Sequence, residues 1–377
     1  MAVHKTTIKL TKAHRIRSDT SESVARFEIH YHRCLNAEGL PVYSLPEVAS
    51  DPERLARLYR AMMLTRLFDT KAVALQRTGQ LGTYASSMGQ EAIGAAIGTT
   101  MRPDDVLLPT YREYAAQFLR GVSMTEILLY WGGDERGMNY QQSREDFPIS
   151  VPVASQTAHA VGVAYAFKYR KQPRVAVCIL GDGGTSKGDF YESLNIAGVW
   201  KLPVLFVVNN NRWAISVARE QQTAATTLAQ KAIAAGIRGE QVDGNDVIAL
   251  YDRMQLALSR IRDTHEPMLI EALTYRMCDH TTADDASRYR PDDEVEAQRA
   301  YDPMHRLKRY MLNNGYWDEH KEQQLNKACI DEIEAAVKAY LETPPQSPES
   351  MFDYLYEDLP DALKAQKAHA AGRKRDD

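Results

Sequence analysis

Apolar residues recur at three-to-four spacing between positions 52 and 101. Leu55, Leu58, Tyr59, Met62 and Met63 make one stripe, and Ile93 and Ile97 continue the pattern. That period predicts helices on either side of a GTYASSMGQ loop. From 104 to 273 the pattern changes. VLLPT, Val175–Leu180, Leu202–Val208 and Met268–Ala272 are continuous apolar runs, with helical patterns such as His159–Tyr169 and Phe190–Trp200 between them. Buried strands alternating with helices predict a parallel sheet covered on both faces, an α/β fold. Residues 1–45 are polar and irregular and read as an arm lying on a surface. Residues 274–294 have many charges and no apolar period, as a functional or disordered loop would. From 301 the chain is helical again, with Leu325, Ile333, Val337 and Leu341 on one face. A TPPQSP break then precedes a docking segment, FDYLYEDLP, and residues 366–377 are expected to be disordered.

Composition narrows the class. The chain has 377 residues, 44 % of them apolar, enough for a large core. The net charge of −4 gives no general drive toward nucleic acid or anionic membrane, and no apolar run is long enough to span a bilayer. Cys34, Cys178, Cys278 and Cys329 are far apart and read as free thiols rather than zinc ligands. Residues 1–17 hold five Lys/Arg and no acid. We read them as a basic arm on a cytoplasmic protein; a targeting peptide would instead imply the mitochondrial matrix.

The most informative stretch runs from Val175 to Ile215. One buried strand exits into Gly181-Asp182-Gly183-Gly184, a helix follows, and a second buried strand exits into Asn209-Asn210-Asn211. In a parallel sheet both turns lie at the carboxyl ends of strands, where ligands bind. Glycines let backbone N–H groups approach a phosphate, and Asp182 with Asn211 offers hard oxygens suited to Mg²⁺ on a diphosphate. A glycine-rich turn followed by an amide-rich turn would leave the same pattern without any ligand. Two other nucleotide motifs fail. Ser186 stands where a dinucleotide fingerprint needs its last glycine, and Ser186-Lys187-Gly188 reverses the order of a P-loop.

The spacing of GDG to NN, 26 intervening residues, is similar to the thiamine diphosphate motif, and the likeness extends over residues of about 45–365. LGTYASSMGQEA, LPTYRE, GDGGTSKGDFYESLN, VVNNNRWAIS, TLAQKAIAAGI, VDGNDVIALY and HTTADDASRYR resemble the alpha subunit of the decarboxylating component of 2-oxo acid dehydrogenase complexes, the bacterial pyruvate branch above all. The resemblance implies a thiamine diphosphate-binding fold over 46–300, preceded by the 1–45 arm and followed by a helical extension over 301–365.

It also implies roles. Asp182, the Asn211 side chain and the Trp213 carbonyl would hold Mg²⁺, with Gly181, Gly183 and Gly184 lining the turn. Tyr111, Arg112 and Arg276 would contact the diphosphate, although a lone Tyr-Arg pair is more often a surface arginine beside a core tyrosine. Val151 and Val153 would pack on the aminopyrimidine side. Ser150, Ser155 and Gln156 would sit near a potassium ion found in animal relatives, while a helix N-cap explains Ser155 equally well. His280 would hydrogen-bond the oxygen of the reacting keto carbon, and Tyr289 and Arg290 would close the loop over the site. Thr281 replaces the animal regulatory serine. Asp189 and Glu192 match carboxylates proposed to relay protons, against a plain solvated face.

The family's activating glutamate belongs to a separate beta chain, and one magnesium–diphosphate motif is visible here. The resemblance therefore implies half an active site in an α₂β₂ assembly, a 2-oxo acid substrate, and acyl transfer to the lipoyl group of an acyltransferase core. Pyruvate is the favoured substrate, with branched-chain 2-oxo acids or acetoin as rivals. A catalytically silent scaffold subunit and a nicotinamide dehydrogenase are the readings from other classes.

Overall fold

A computed structural model describes residues 22–372. Among the described residues there are eight strands: β1 (Tyr31–His32), β2 (Val106–Leu108), β3 (Ala176–Gly181), β4 (Val204–Asn210), β5 (Trp213–Ala214), β6 (Val217–Ala218), β7 (Arg238–Asp243) and β8 (Met268–Leu273). Six of them form one parallel sheet in the order β1-β7-β8-β4-β3-β2, while β5 and β6 make a small antiparallel hairpin. The expected α/β architecture is present.

Side chains alternate across each strand, which sorts the apolar runs into two layers. Val177, Ile179, Leu205 and Val207 face a large cluster built with helices Pro52–Arg77, Glu91–Thr100 and Val247–Thr264. Cys178, Leu180, Phe206 and Val208 face the other layer, under helices Ser155–Tyr169 and Gly188–Trp200. β3 and β4 are therefore apolar on both faces and read as unbroken runs. The C-terminal helices Pro303–Asn313 and Glu319–Leu341 add Leu307, Tyr310, Met311, Ile333 and Val337 to the first layer, so the extension is continuous with the core. No described helix is long and apolar enough to cross a membrane. The four cysteines are unpaired.

Several expectations need revision. Part of the arm joins the sheet, where Tyr31 and His32 pair in parallel with Gln241 and Val242. The rest of the arm up to residue 21, including the basic stretch, lies outside the described residues. Leu341 is exposed rather than on the buried face of its helix. In the FDYLYEDLP segment only Phe352 is buried, while Tyr354, Leu355 and Tyr356 face outward. The expected disordered tail is helical over Asp361–Gly372, where alanines, lysines and a glutamine favour helix. Residues 373–377 lie outside the description.

Candidate functional site

The two turns spring from adjacent strands, with Gly181 of β3 in register with Asn209 of β4. Beyond Gly181 the chain winds into a 3₁₀ turn over Asp182–Ser186 that buries the Asp182 carboxylate to 2 % exposure. Gln222 Nε2 donates to its Oδ2 at 2.7 Å, and burial pushes the carboxyl above its ordinary pKa. Thr185 Oγ1 braces the turn by donating to the Asp182 carbonyl at 2.7 Å, and Lys231 Nζ donates to the Thr185 carbonyl at 2.8 Å. A side chain at Gly183 would strike Ala214 Cβ at 2.6 Å, so glycine there lets the turn approach the β5–β6 hairpin closely. At Gly181 a side chain would meet nothing within 4 Å, and it would project into open space at the cleft wall.

Opposite, Asn211 is buried. Its Nδ2 donates to Gln90 Oε1 at 3.1 Å, while its Oδ1 accepts the Trp213 N–H at 3.1 Å. The Trp213 ring is anchored away from this point by Nε1 donating to Glu294 at 3.1 Å. Between the turns lies a cleft of about 540 Å³. Asp182, Asn211, Trp213, Tyr111, Arg112 and His280 all reach its wall, and so do Gly181, Gly183, Gly184, Val151 and Val153. The two valines are 51 % and 49 % exposed, apolar surface left uncovered at the cleft mouth.

Arg112 is buried. It donates to the Ser86 carbonyl, and its Nη2 donates to His280 Nδ1 at 3.0 Å and to the His280 carbonyl at 2.5 Å. Ser86 is itself held by Asp69, a fully buried carboxylate whose Oδ2 accepts Ser86 Oγ at 2.8 Å and the Ser87 N–H at 2.7 Å, with Tyr84 on its other oxygen. Burial outweighs these bonds and pushes Asp69 up to about 6. Arg276 approaches His280 Nδ1 from the other side at 3.4 Å. Both neighbours are donors only, so Nδ1 must accept and the ring proton sits on Nε2. Burial, then Arg112 and Arg276, pushes the imidazole down to about 4.

Arg276, Tyr289 and Arg290 do not line the cleft. Arg276 is fully buried behind it and donates to the Trp213 carbonyl at 3.4 Å and the Ile215 carbonyl at 2.9 Å. Tyr289 accepts from Arg276 at 2.8 Å and donates to Asp284, and Arg290 donates to the Arg276 carbonyl at 2.5 Å. Asp284 in turn accepts the His280 N–H at 2.8 Å. These three brace the loop that carries His280.

Ser155 is not an N-cap. Ala154 takes that position in the left-handed region, and Ser155 Oγ donates back to the Pro152 carbonyl at 2.9 Å. Ser150 bonds Ser155 at 2.9 Å, and Gln156 donates to the Ile179 carbonyl at 2.6 Å, leaving its Oε1 buried and unpartnered. Asp189 and Glu192 are exposed outside the cleft wall, Asp189 paired with Lys187. Thr281 does line the cleft. Gln90, Gln222, Lys231 and the Asp69 network were not singled out from sequence. Gln90, Lys231 and the Tyr84, Ser86 and Ser87 partners of Asp69 stand in strings that carry the resemblance, whereas Asp69 and Gln222 do not.

The donor set is one carboxylate, one amide and a carbonyl, too few charges to satisfy a divalent ion alone but fitted to Mg²⁺ that also takes phosphate oxygens. Asn209 Oδ1, buried and unpartnered beside them, is a further neutral oxygen on the cleft wall.

Residues 59–349 match the dehydrogenase E1 component family. The chain is 38 % identical over 315 residues to the pyruvate dehydrogenase E1 component subunit alpha of Mycoplasma genitalium, a match covering 84 % of this chain and 88 % of that one. It is 37 % identical to the subunit of the same name from Mycoplasma pneumoniae, over 84 % of this chain and 89 % of that one. The corresponding subunit of Staphylococcus aureus is 40 % identical, over 83 % and 85 %.

Proposed function

The chain belongs to the dehydrogenase E1 component family, and on that premise we propose that it is the alpha subunit of a thiamine diphosphate-dependent pyruvate dehydrogenase. The observation that carries this reading is that Asp182, Asn211, Trp213, Arg112 and His280 all line one cleft. Asp182, Asn211 and Trp213 would hold Mg²⁺, and Tyr111 and Arg112 would receive the diphosphate. Val151 and Val153 would cover the ring system and keep water from it. When bound, thiamine diphosphate supplies the nucleophilic carbon and the electron sink that decarboxylation of a 2-oxo acid requires.

His280 then acts as a neutral donor. Its Nε2–H would hydrogen-bond the oxygen on the reacting carbon as negative charge develops there, and the two arginines behind Nδ1 keep the ring from taking a second proton. Arg276, Tyr289 and Arg290 act as positioning residues for that loop.

The cleft wall offers two carboxylates, and neither is free to activate the aminopyrimidine. Asp182 is taken by the proposed metal site, and Glu113 is occupied by the Thr110 N–H at 2.7 Å and the Thr110 hydroxyl at 2.5 Å. This supports a beta subunit supplying the missing acid in an α₂β₂ assembly, with the acetyl group passed to the lipoyl group of an acyltransferase core. We place the protein in the cytoplasm. Copurification with the beta subunit, followed by decarboxylation of pyruvate and of 2-oxoisovalerate, tests the reading. Turnover faster on pyruvate is expected, and preference for the branched acid would overturn the substrate.

A further inference from the structure

A second cavity of about 180 Å³ opens at the carboxyl ends of β7 and β8. It shares one turn with the cleft: Asn211 and Trp213 line the cleft, and Arg212 between them lines the cavity. Arg212 has φ of 70°, a left-handed conformation that is unfavourable for a side-chain-bearing residue. It is held there by its own N–H donating to Asn210 Oδ1 at 3.2 Å and by its carbonyl accepting the Arg219 N–H at 2.9 Å.

Three arginines line this cavity, Arg33, Arg212 and Arg306, against two acids, Asp243 and Glu38. Asp243 is already committed, one oxygen to Arg306 Nη1 at 2.8 Å and the other to the Asn245 N–H at 3.0 Å. Arg306 is 2 % exposed and keeps a buried Nε without a partner. The Arg212 Nε is also buried without a partner, and neither Arg33 nor Arg212 pairs with an acid among the described residues. Buried guanidinium donors left unsatisfied are costly, and their planar forks match phosphate and carboxylate oxygens.

We propose that this cavity binds a compact oxyanion, a phosphate or carboxylate group received by Arg33 and Arg212. The space of about 180 Å³ has room for inorganic phosphate or a short carboxylate. The site does not depend on the reaction assigned to the neighbouring cleft.

The test uses the full-length protein incubated with excess thiamine diphosphate and Mg²⁺, titrated calorimetrically with inorganic phosphate and, separately, with succinate. One saturable site per chain is expected for at least one of them, weakened about tenfold or more by Arg33→Ala, as loss of a charged hydrogen bond predicts. Arg33→Lys should recover part of the affinity. Glu38→Gln, on an exposed side chain, removes an opposing charge and should tighten binding, which keeps the test decisive if Arg33→Ala folds poorly. Absence of saturable binding of both anions, or an affinity indifferent to Arg33→Ala and Glu38→Gln, would overturn the proposal.

Discussion

The neutrality of His280 can be tested through pH. With an ordinary pKa of about 6.5, roughly a quarter of the rings would be protonated at pH 7. Held down to about 4 by burial and by the guanidinium groups of Arg112 and Arg276, only about one ring in a thousand would be protonated at that pH. The ring is therefore a hydrogen-bond donor through Nε2 across the working range and does not switch. The assay is kcat of the α/β enzyme on pyruvate with an artificial electron acceptor, measured from pH 5 to 8 for the wild type and His280→Gln. Loss of one preorganised donor should lower kcat by about 10²–10³ and leave cofactor affinity nearly unchanged. Both proteins should share the same acid limb. An ionisation near 6.5 in the wild type that disappears in His280→Gln would refute the reasoning. The same depressed pKa fixes a sign for stability: as pH falls from about 6.5 toward 4 the unfolded chain takes a proton that the folded loop refuses, so the loop loses stability in acid.

Replacing Asp182 by Asn removes the one carboxylate of the proposed metal site, and calorimetry should show thiamine diphosphate affinity with Mg²⁺ falling by at least about a hundredfold; a chelator should release the cofactor from the wild type in the same assay. Gly183→Ala drives a methyl group into Ala214, 2.6 Å away, and should weaken cofactor binding while the thermal midpoint moves little, because both residues are only partly buried and lie outside the two core clusters. Asp69 carries its proton to about pH 6 in the fold but releases it near 3.8 when unfolded, so wild-type stability falls as pH rises between those values, by ~3 kcal/mol. Asp69→Asn lacks that term, and denaturant titrations at pH 4 and pH 7 should show the gap between variant and wild type shifting by most of that amount, ~2.4 kcal/mol, in the variant's favour.

Much of the sheet was legible because β3, β4 and β8 are buried on both faces and must be apolar throughout. β7 was not legible. Its RGEQVD sequence hides a buried Glu240, neutralised by Arg253 at 2.8 Å, and no apolar alternation survives that pairing. β1 is held by two backbone rungs, which leave no trace in side-chain pattern. The glycine and asparagine turns, suggested by their residue types, and His280, suggested by a familiar string, do come together at one cleft. Gln222 could not be read in this way. It acts on Asp182, 40 positions away, a proximity that exists only after the layers close. Ser155 misled for the reverse reason, since local spacing suggests a cap and the left-handed Ala154 takes that place.

The rung joining Gly181 to Asn209 has a wider consequence. The two jaws begin from neighbouring strands, about 4.8 Å apart, so their gauge belongs to the backbone ladder and not to the loops. Loop substitutions can change what the jaws are made of but hardly how far they open. A rigid gauge favours a small ion with strict octahedral demands over a larger, more forgiving one such as Ca²⁺. Retuning the proposed metal site for a different cation would therefore require rebuilding the central sheet, whereas residues at the rim can drift freely.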